Sequence, residues 1–250
     1  MADSNDTIDT LFVTDDIIPT LKAKAAADSG GNPDLLIATI GELDPVRDFV
    51  LRMPSVNEYT AYYDAACDIN NADANAQAAI LWCIWPSRTK LTAARKAMYL
   101  LPNRLCEYVE RAVGGNKPEF IRLDANTDVS TLEEHGIPED VVKGLLTTYK
   151  ALNALRIGRV TVSPEGAEET ETFSFVLRPL GPSTTQLVRG FHTKAKYNAI
   201  KTALNHAMAW PTGPEKEALL AKYPGLPSPY MYQNMMEQGG SDAKISAKKA

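Results

Sequence analysis

The tetrapeptide FVLR occurs twice in this chain, in "DFVLRMPSVNEY" (residues 48–59) and in "SFVLRPLGPSTTQ" (residues 174–186). Four further matches follow it in the same order: a Pro-Ser pair, a Trp-Pro pair, a Leu-Pro pair and a Gly-Gly pair. Each lies roughly 125 residues after its counterpart. Five matches with one order and nearly one spacing predict a tandem duplication.

The repeat predicts how the chain is organised. We expect an N-terminal segment (1–34), a first repeat unit (35–115), a linker with an amphipathic helix (116–156), a second repeat unit (157–240) and a flexible tail (241–250).

Each unit is predicted to begin with a strand pair. In the second unit, Phe173, Phe175 and Leu177 alternate with other residues, the period of a strand with one buried face. They follow an apolar stretch at 160–162 across a turn at 163–166, which predicts a hairpin. The first unit has a similar outline around a turn at 41–45.

Helices are predicted to follow the strands, with Ser55 and Ser183 as N-caps. Glu58 and Gln186 lie three residues later and complete capping boxes. Because proline disfavours helix before it, each Trp-Pro pair is predicted to end a helix. The expected helices are 56–69, 74–85, 88–100 and 102–114, the bridging helix 138–155, then 184–197, 199–210, 214–222 and 229–238. The predicted fold class is therefore mainly α with small antiparallel β elements (α+β), as a tandem duplication of a strand-then-helices unit.

Composition and charge argue against several classes of protein. With 44% hydrophobic and 23% charged residues among 250, the chain is typical of a soluble globular protein. No apolar run approaches the roughly 20 residues that span a bilayer, and the acidic N-terminus does not match a secretory signal. The net charge is −5, and the tail lysines (Lys244, Lys248 and Lys249) are taken as the only basic cluster. We therefore expect no membrane or nucleic-acid partner and a cytoplasmic location.

No pattern of reactive side chains predicts an active site. The three cysteines lack CxxC spacing and fall in apolar helical patterns, which favours core packing over disulfides, zinc or catalysis. The three histidines lack metal-binding spacing, and neither GxxxxGK[ST] nor GxGxxG is present. We predict no catalytic residue, no metal site and no cofactor. The residues considered are Cys67, Cys83, Cys106, His135, His192 and His206.

The last predicted helix is unusually rich in methionine and tyrosine. Methionine is flexible and polarisable, and surfaces rich in it bind varied apolar partners. Two interpretations stay open: an ordinary helix core, or a groove for a partner helix. The residues are Tyr230, Met231, Tyr232, Met235 and Met236.

Four repeat anchors are predicted to have structural roles. Trp85 and Trp210 should occupy equivalent buried sites. Arg52 and Arg178, where strand passes into helix, should pair with a carboxylate or a helix C-terminus. A functional arginine remains the alternative.

Two stretches together resemble the tail assembly chaperones of tailed bacteriophages. They are "FSFVLRPLGPSTTQLVRGF…AMAWPTGPEKEALLAKYPGLPSPYMYQNMMEQGG" (173–240) and "FVLRMPSVNEYTAYYDAAC…LWCIWPSRTKL…MYLLPNRLCEYVERAVGG" (49–115). The shared features are a strand ending near F-x-[LF]-R, a helix opening S-x-x-[EQ], a Trp-Pro step and a last helix ending in glycine.

This resemblance implies a mostly helical protein without enzymatic activity. Such a protein binds the long helical tape measure protein, with tube subunits as further expected partners, in the host cytoplasm during tail assembly. Members of this family are usually single-copy, so two copies in one chain depart from the pattern. The departure leaves the stoichiometry and any oligomer open, and leaves a rival: a structural component retained in the tail or baseplate of the virion.

Overall fold

The computed structural model describes residues 12–43, 47–67, 71–123, 134–149, 155–162, 170–191 and 195–240. The chain divides into two compact units, the first running to Val113 and the second covering Gly114–Val162 and Thr170–Ala250. Each combines helices with a small antiparallel sheet, which confirms the predicted α+β class. The predicted hairpin turns, His192 and the tail lysines fall at least partly outside the described residues.

The first unit has a three-stranded sheet in the order β1-β2-β3. Both strand pairs are antiparallel, and β2 is central. Along the chain its elements are α1 (Ile18–Ser29), β1 (Leu35–Ile40), β2 (Arg47–Arg52), α2 (Val56–Ala66), α3 (Asn71–Trp82), β3 (Cys83–Trp85), α4 (Arg88–Ala97) and α5 (Leu101–Ala112).

The second unit has a four-stranded antiparallel sheet in the order β4-β5-β6-β7. The predicted hairpin is present as its two inner strands. Along the chain its elements are β4 (Glu119–Arg122), α6 (Glu139–Thr148), β5 (Arg156–Val162), β6 (Glu171–Leu177), α7 (Pro182–Phe191), α8 (Lys196–Ala207), β7 (Met208–Trp210), α9 (Gly213–Lys222) and α10 (Pro229–Gly240).

Both FVLR stretches lie at the end of a central strand, where Phe, Val and Leu are fully buried. Strands covered on both faces are expected to have such continuous apolar runs. A small residue stands opposite each phenylalanine across the sheet, Ala38 opposite Phe49 and Gly158 opposite Phe175. The repeated sequence therefore forms the buried centre of each unit.

The order of elements from α1 to α5 recurs from α6 to α10. The register of the third strand recurs as well: Val50 pairs with Trp85, Val176 pairs with Trp210, and the pairing shifts after each valine. The two Trp–Pro peptide bonds are both cis.

Two helices outside the predicted repeat units pack into the apolar cores. In the predicted N-terminal segment, α1 packs Leu21 and Ala25 against Val50. In the predicted linker, α6 packs Val142 into the cluster that contains Val176. The central strand of each sheet has two apolar faces, and both need to be covered. Helix α1 covers one face in the first unit, and α6 covers one face in the second unit.

The predicted helix ends at the Trp-Pro pairs are wrong. Helices α3 and α8 end three residues earlier, and the intervening residues form strands β3 and β7. Pairing with the central strand gives the backbone of these residues hydrogen-bond partners in place of those within a helix. The second predicted N-cap differs too, since α7 begins at Pro182 and Ser183 lies inside the helix.

Candidate functional site

The methionine-rich helix α10 contributes mainly to the core of the second unit. Met231 and Met235 are fully buried, and α10 packs against α8 and α7. Tyr230 is 46% exposed and Tyr232 is half-buried, whereas the side chain of Met236 lies outside the description. The partner-binding interpretation therefore fails for Met231 and Met235, because their side chains already fill the interior.

Arg52 pairs with a carboxylate, one of its two predicted alternatives. Its Nη1 and Nη2 donate to Glu58 Oε2 and Oε1 at 2.9 and 2.6 Å. Glu58 also accepts from the Ser55 backbone amide at 2.8 Å, and Ser55 Oγ accepts from the Glu58 amide at 3.3 Å, which confirms the first capping box. This buried arginine thus ties the end of β2 to the start of α2.

The electrostatics of this pair favour both charges. Burial opposes ionisation of Glu58, but the hydrogen bonds from Arg52 and Ser55 outweigh it and lower the pKa of the carboxyl. The hydrogen bond to Glu58 raises the pKa of Arg52 against the opposing effect of burial.

Arg178 realises the other alternative, a helix C-terminus. Its Nε donates to the carbonyl of His206 in the last turn of α8 at 3.0 Å, and its Nη1 donates to Tyr149 Oη at 3.0 Å. The guanidinium also lies 5.8 Å from the centre of the Tyr149 ring. Carbonyls of the last turn lack helical partners, so Arg178 satisfies one of them.

The anchor tryptophans are partly buried rather than buried as expected. Trp85 and Trp210 pack against the edges of the cores that contain Val50 and Val176. The fully buried indole is Trp82, at 1% exposure, which stacks on Tyr59 with ring centres 6.5 Å apart. Trp85 and Trp210 are the last residues of the edge strands β3 and β7, where a side chain has fewer neighbours than in the core.

Two of the three thiols are poorly suited to nucleophilic chemistry. Burial raises the pKa of Cys83 to about 12 and raises that of Cys106 well above its usual value, so both stay protonated near neutral pH. Cys67 is exposed at the end of α2, which differs from its expected core position. Within the described residues, no cluster of His, Cys, Asp or Glu could hold a metal ion.

A buried polar network that the sequence did not predict lies between α2, α3 and α5. Tyr62 Oη is 2.8 Å from Glu110 Oε1 and 3.0 Å from Asn75 Oδ1, and Asn75 Nδ2 donates to Asn103 Oδ1 at 3.1 Å. The Tyr62 hydroxyl lies within donating distance of both oxygens, so its one proton is shared between Glu110 and Asn75. Burial raises the pKa of Glu110, the charge of Glu107 adds to this effect, and the hydrogen bond that Tyr62 donates opposes it.

This network reaches the surface at a cleft between α3, α4 and α5 with a volume of about 410 Å³. Asn103 belongs both to the network and to the cleft wall. Helices α3 and α5 contribute small apolar side chains to the lining, α4 contributes two cations, and Tyr99 lines the cleft with 82% of its surface exposed. The lining residues used below are Ala72, Asp73, Ala76, Arg95, Lys96 and Pro102.

The sequence contained a signal for this cleft. Helix α4, "RTKLTAARKA", has four cations and no acidic residue. The expectation that the C-terminal lysines form the only basic cluster is therefore wrong. Cations separated by alanine, leucine and threonine read as an ordinary solvated helix until the fold places Arg95 and Lys96 beside an open cleft.

Comparison of the chain with protein-family models, with curated proteins and with solved structures finds no match. In the part of the chain that the structure describes, every helix is too short or too polar to cross a membrane.

Proposed function

We propose that this chain is a non-enzymatic tail assembly chaperone of a tailed bacteriophage, built as two tandem copies of one unit. It binds apolar helical segments of the tape measure protein, and also tube subunits, in the host cytoplasm while the tail assembles. One observation carries the proposal: the sequence features that resemble this family recur in corresponding elements. The Phe-Val-Leu run of each FVLR lies near the end of β2 or β6, and the tryptophan of each Trp-Pro pair is the last residue of β3 or β7.

This molecule has physical properties that such a chaperone needs. A tape measure segment exposes apolar helix before the tube encloses it, and a chaperone has to cover that surface reversibly. Tyr99, Leu100 and Tyr230 are large apolar side chains with about half or more of their surface exposed. A net charge of −5 helps to keep an assembly intermediate soluble.

The rival function is a structural component of the tail or baseplate. Two units in one chain favour it, because a permanent part of a particle gains from a fixed pair of contacts. The rival predicts large, lasting interfaces rather than transient cover.

The test is affinity purification of the tagged full-length chain from cells that are assembling the phage. We expect the tape measure protein to co-purify, and a tagged unrelated protein of similar net charge to recover none. Recovery of no tail protein would contradict both tail functions.

A further inference from the structure

We infer that the cleft between α3, α4 and α5 is a docking surface for an acidic, amphipathic segment of a partner protein. The inference deepens the proposed function and rests on it in one respect, that the partner is a protein. It moves the expected contact from the buried methionines of α10 to the first unit.

The charge on this surface selects an acidic partner. Arg95 and Lys96 line the cleft, and Arg88 and Lys90 lie on the same helix. Neither Arg95 nor Lys96 forms a salt bridge within the described residues. Arginine presents two parallel donors to a carboxylate, and lysine adds a second point charge. Asp73 is the one carboxylate in the lining, and it lies in the first turn of α3.

The fold does not require these cations. Helix α9 holds the corresponding place in the second unit, directly after the cis Trp–Pro bond. Its sequence, "GPEKEALLAK", contains two glutamates and two lysines. Since a helix of mixed charge serves at this place, four cations without an anion are specific to the first unit.

The apolar part of the cleft suits the other face of such a segment. Tyr99 and Leu100 are 82% and 52% exposed where α4 turns into α5. Tyr99 lines the cleft together with the small side chains of Ala72, Ala76 and Pro102, and Leu100 is its neighbour along the chain. A segment with carboxylates on one side and leucine-like side chains on the other would pair with the cations and cover Tyr99 together. Asn103 offers an amide from the wall.

The test is binding of a synthetic peptide to the full-length chain, followed by fluorescence anisotropy. The probe is a labelled amphipathic helix of leucine and glutamate, compared with the same peptide in which lysine replaces each glutamate. We expect the glutamate peptide to bind at least about ten-fold more tightly. We also expect its affinity to fall as salt is raised, because exposed charges are screened.

The decisive variant is Arg95→Glu with Lys96→Glu. It should weaken binding of the glutamate peptide by about ten-fold or more. The control, Lys22→Glu with Lys117→Glu, makes the same change in net charge at two exposed positions outside the cleft and should leave affinity nearly unchanged. Tyr99→Ser, at a side chain too exposed to support folding, should also weaken binding.

Equal losses in the cleft variant and the control would overturn the inference, since net charge alone would then explain binding. Equal affinity for single-stranded DNA would overturn it as well, since the cleft would then accept any polyanion. The proposed function is tested separately: if the cleft variant still recovers the tape measure protein from cells, the docking surface is wrong and the chaperone proposal stands.

Discussion

The arginine that ends each FVLR stretch has different hydrogen-bond partners in the two units. Arg52 and Arg178 both follow the buried Phe-Val-Leu run, where a cation needs a partner. The first unit supplies Glu58, and the second supplies the carbonyl of His206 and the hydroxyl of Tyr149. The sequence predicted both kinds of partner but not which arginine takes which, because His206 and Tyr149 are distant along the chain.

Glu58→Ala should lower the free energy of unfolding by about 3 kcal/mol, because it leaves the guanidinium of Arg52 buried without its counter-charge. Glu107→Ala is the control. Its pair with Arg104 spans 3.8 Å with both side chains about half exposed, so we expect a change under about 0.5 kcal/mol. Urea denaturation at neutral pH measures both. Equal costs would contradict the structural role of Arg52.

Acid should reduce the effect of Glu58→Ala. The folded protein lowers the pKa of Glu58, so its stabilisation is present above the unfolded pKa and is lost as pH falls through the folded pKa. The difference in denaturation midpoint between the parent and Glu58→Ala should therefore shrink on acidification. A constant difference would mean that the variant acts through packing alone.

Glu110→Gln should change stability in the opposite direction from Glu58→Ala, raising the free energy of unfolding near neutral pH. The folded protein raises the pKa of Glu110, so the stability it contributes is present below the unfolded pKa and is lost as pH rises through the folded pKa. Gln keeps an acceptor for Tyr62 and carries no charge. The variant should unfold at higher urea than the parent near neutral pH and at the same urea in acid. Glu42→Gln, at an exposed position of the same unit, controls for the lost charge, and a destabilised Glu110→Gln would contradict this account.

At the scale of elements, some strands and helices depend on contacts between distant parts of the chain, which local sequence patterns do not predict. The hairpin of β5 and β6 and most helices have strong local periodicity, and the structure agrees with their prediction. Strands β3 and β7 have three residues each, so their stability comes from the central strand and not from a local pattern. Helix α1 was missed because it buries only Leu21 and Ala25, too few for a clear amphipathic stripe.

Gly158→Ala should destabilise the second sheet. A Cβ at this position would lie 2.1 Å from Cε2 of Phe175, whose ring is fully buried over the glycine. Moving that ring should cost about 1 to 3 kcal/mol. Gly144→Ala is the matched control: it lies in α6 with open space around it and should stabilise by about 0.5 to 1 kcal/mol. Thermal unfolding of both variants tests the prediction, and a tolerated Gly158→Ala would contradict the close packing of β5 against β6.

Trp82→Ala should lower the free energy of unfolding by more than Trp85→Ala does. Trp82 is 1% exposed and meets the Tyr62 ring edge-on, with ring centres 5.0 Å apart and planes at 72°. Its loss should cost about 3 to 5 kcal/mol, since a large cavity remains. Trp85 is partly buried at the edge of its core and should cost less. Denaturant titration measures the loss in free energy of unfolding for both variants. A larger loss for Trp85→Ala would show that β3 contributes more to the stability of the core than its burial indicates.

At the scale of the whole molecule, the two units share one order of elements, and this shared order extends beyond the stretches in which the sequence predicts a repeat. The anchors marked the strands and the later helices, while α1 and α6 share no recognisable letters. Many different apolar residues can cover a sheet face, so two helices with this role need not share a sequence pattern. The cleft in the first unit was predictable only in its charge, because its lining comes from three separate helices.

The most informative measurement counts this chain in purified virions and in the cells that produce them, by quantitative mass spectrometry. The chaperone proposal predicts a chain that is abundant in cells together with the tape measure protein and is missing from virions. A fixed small number of copies in every virion would contradict it and would make the chain a structural part of the tail or baseplate.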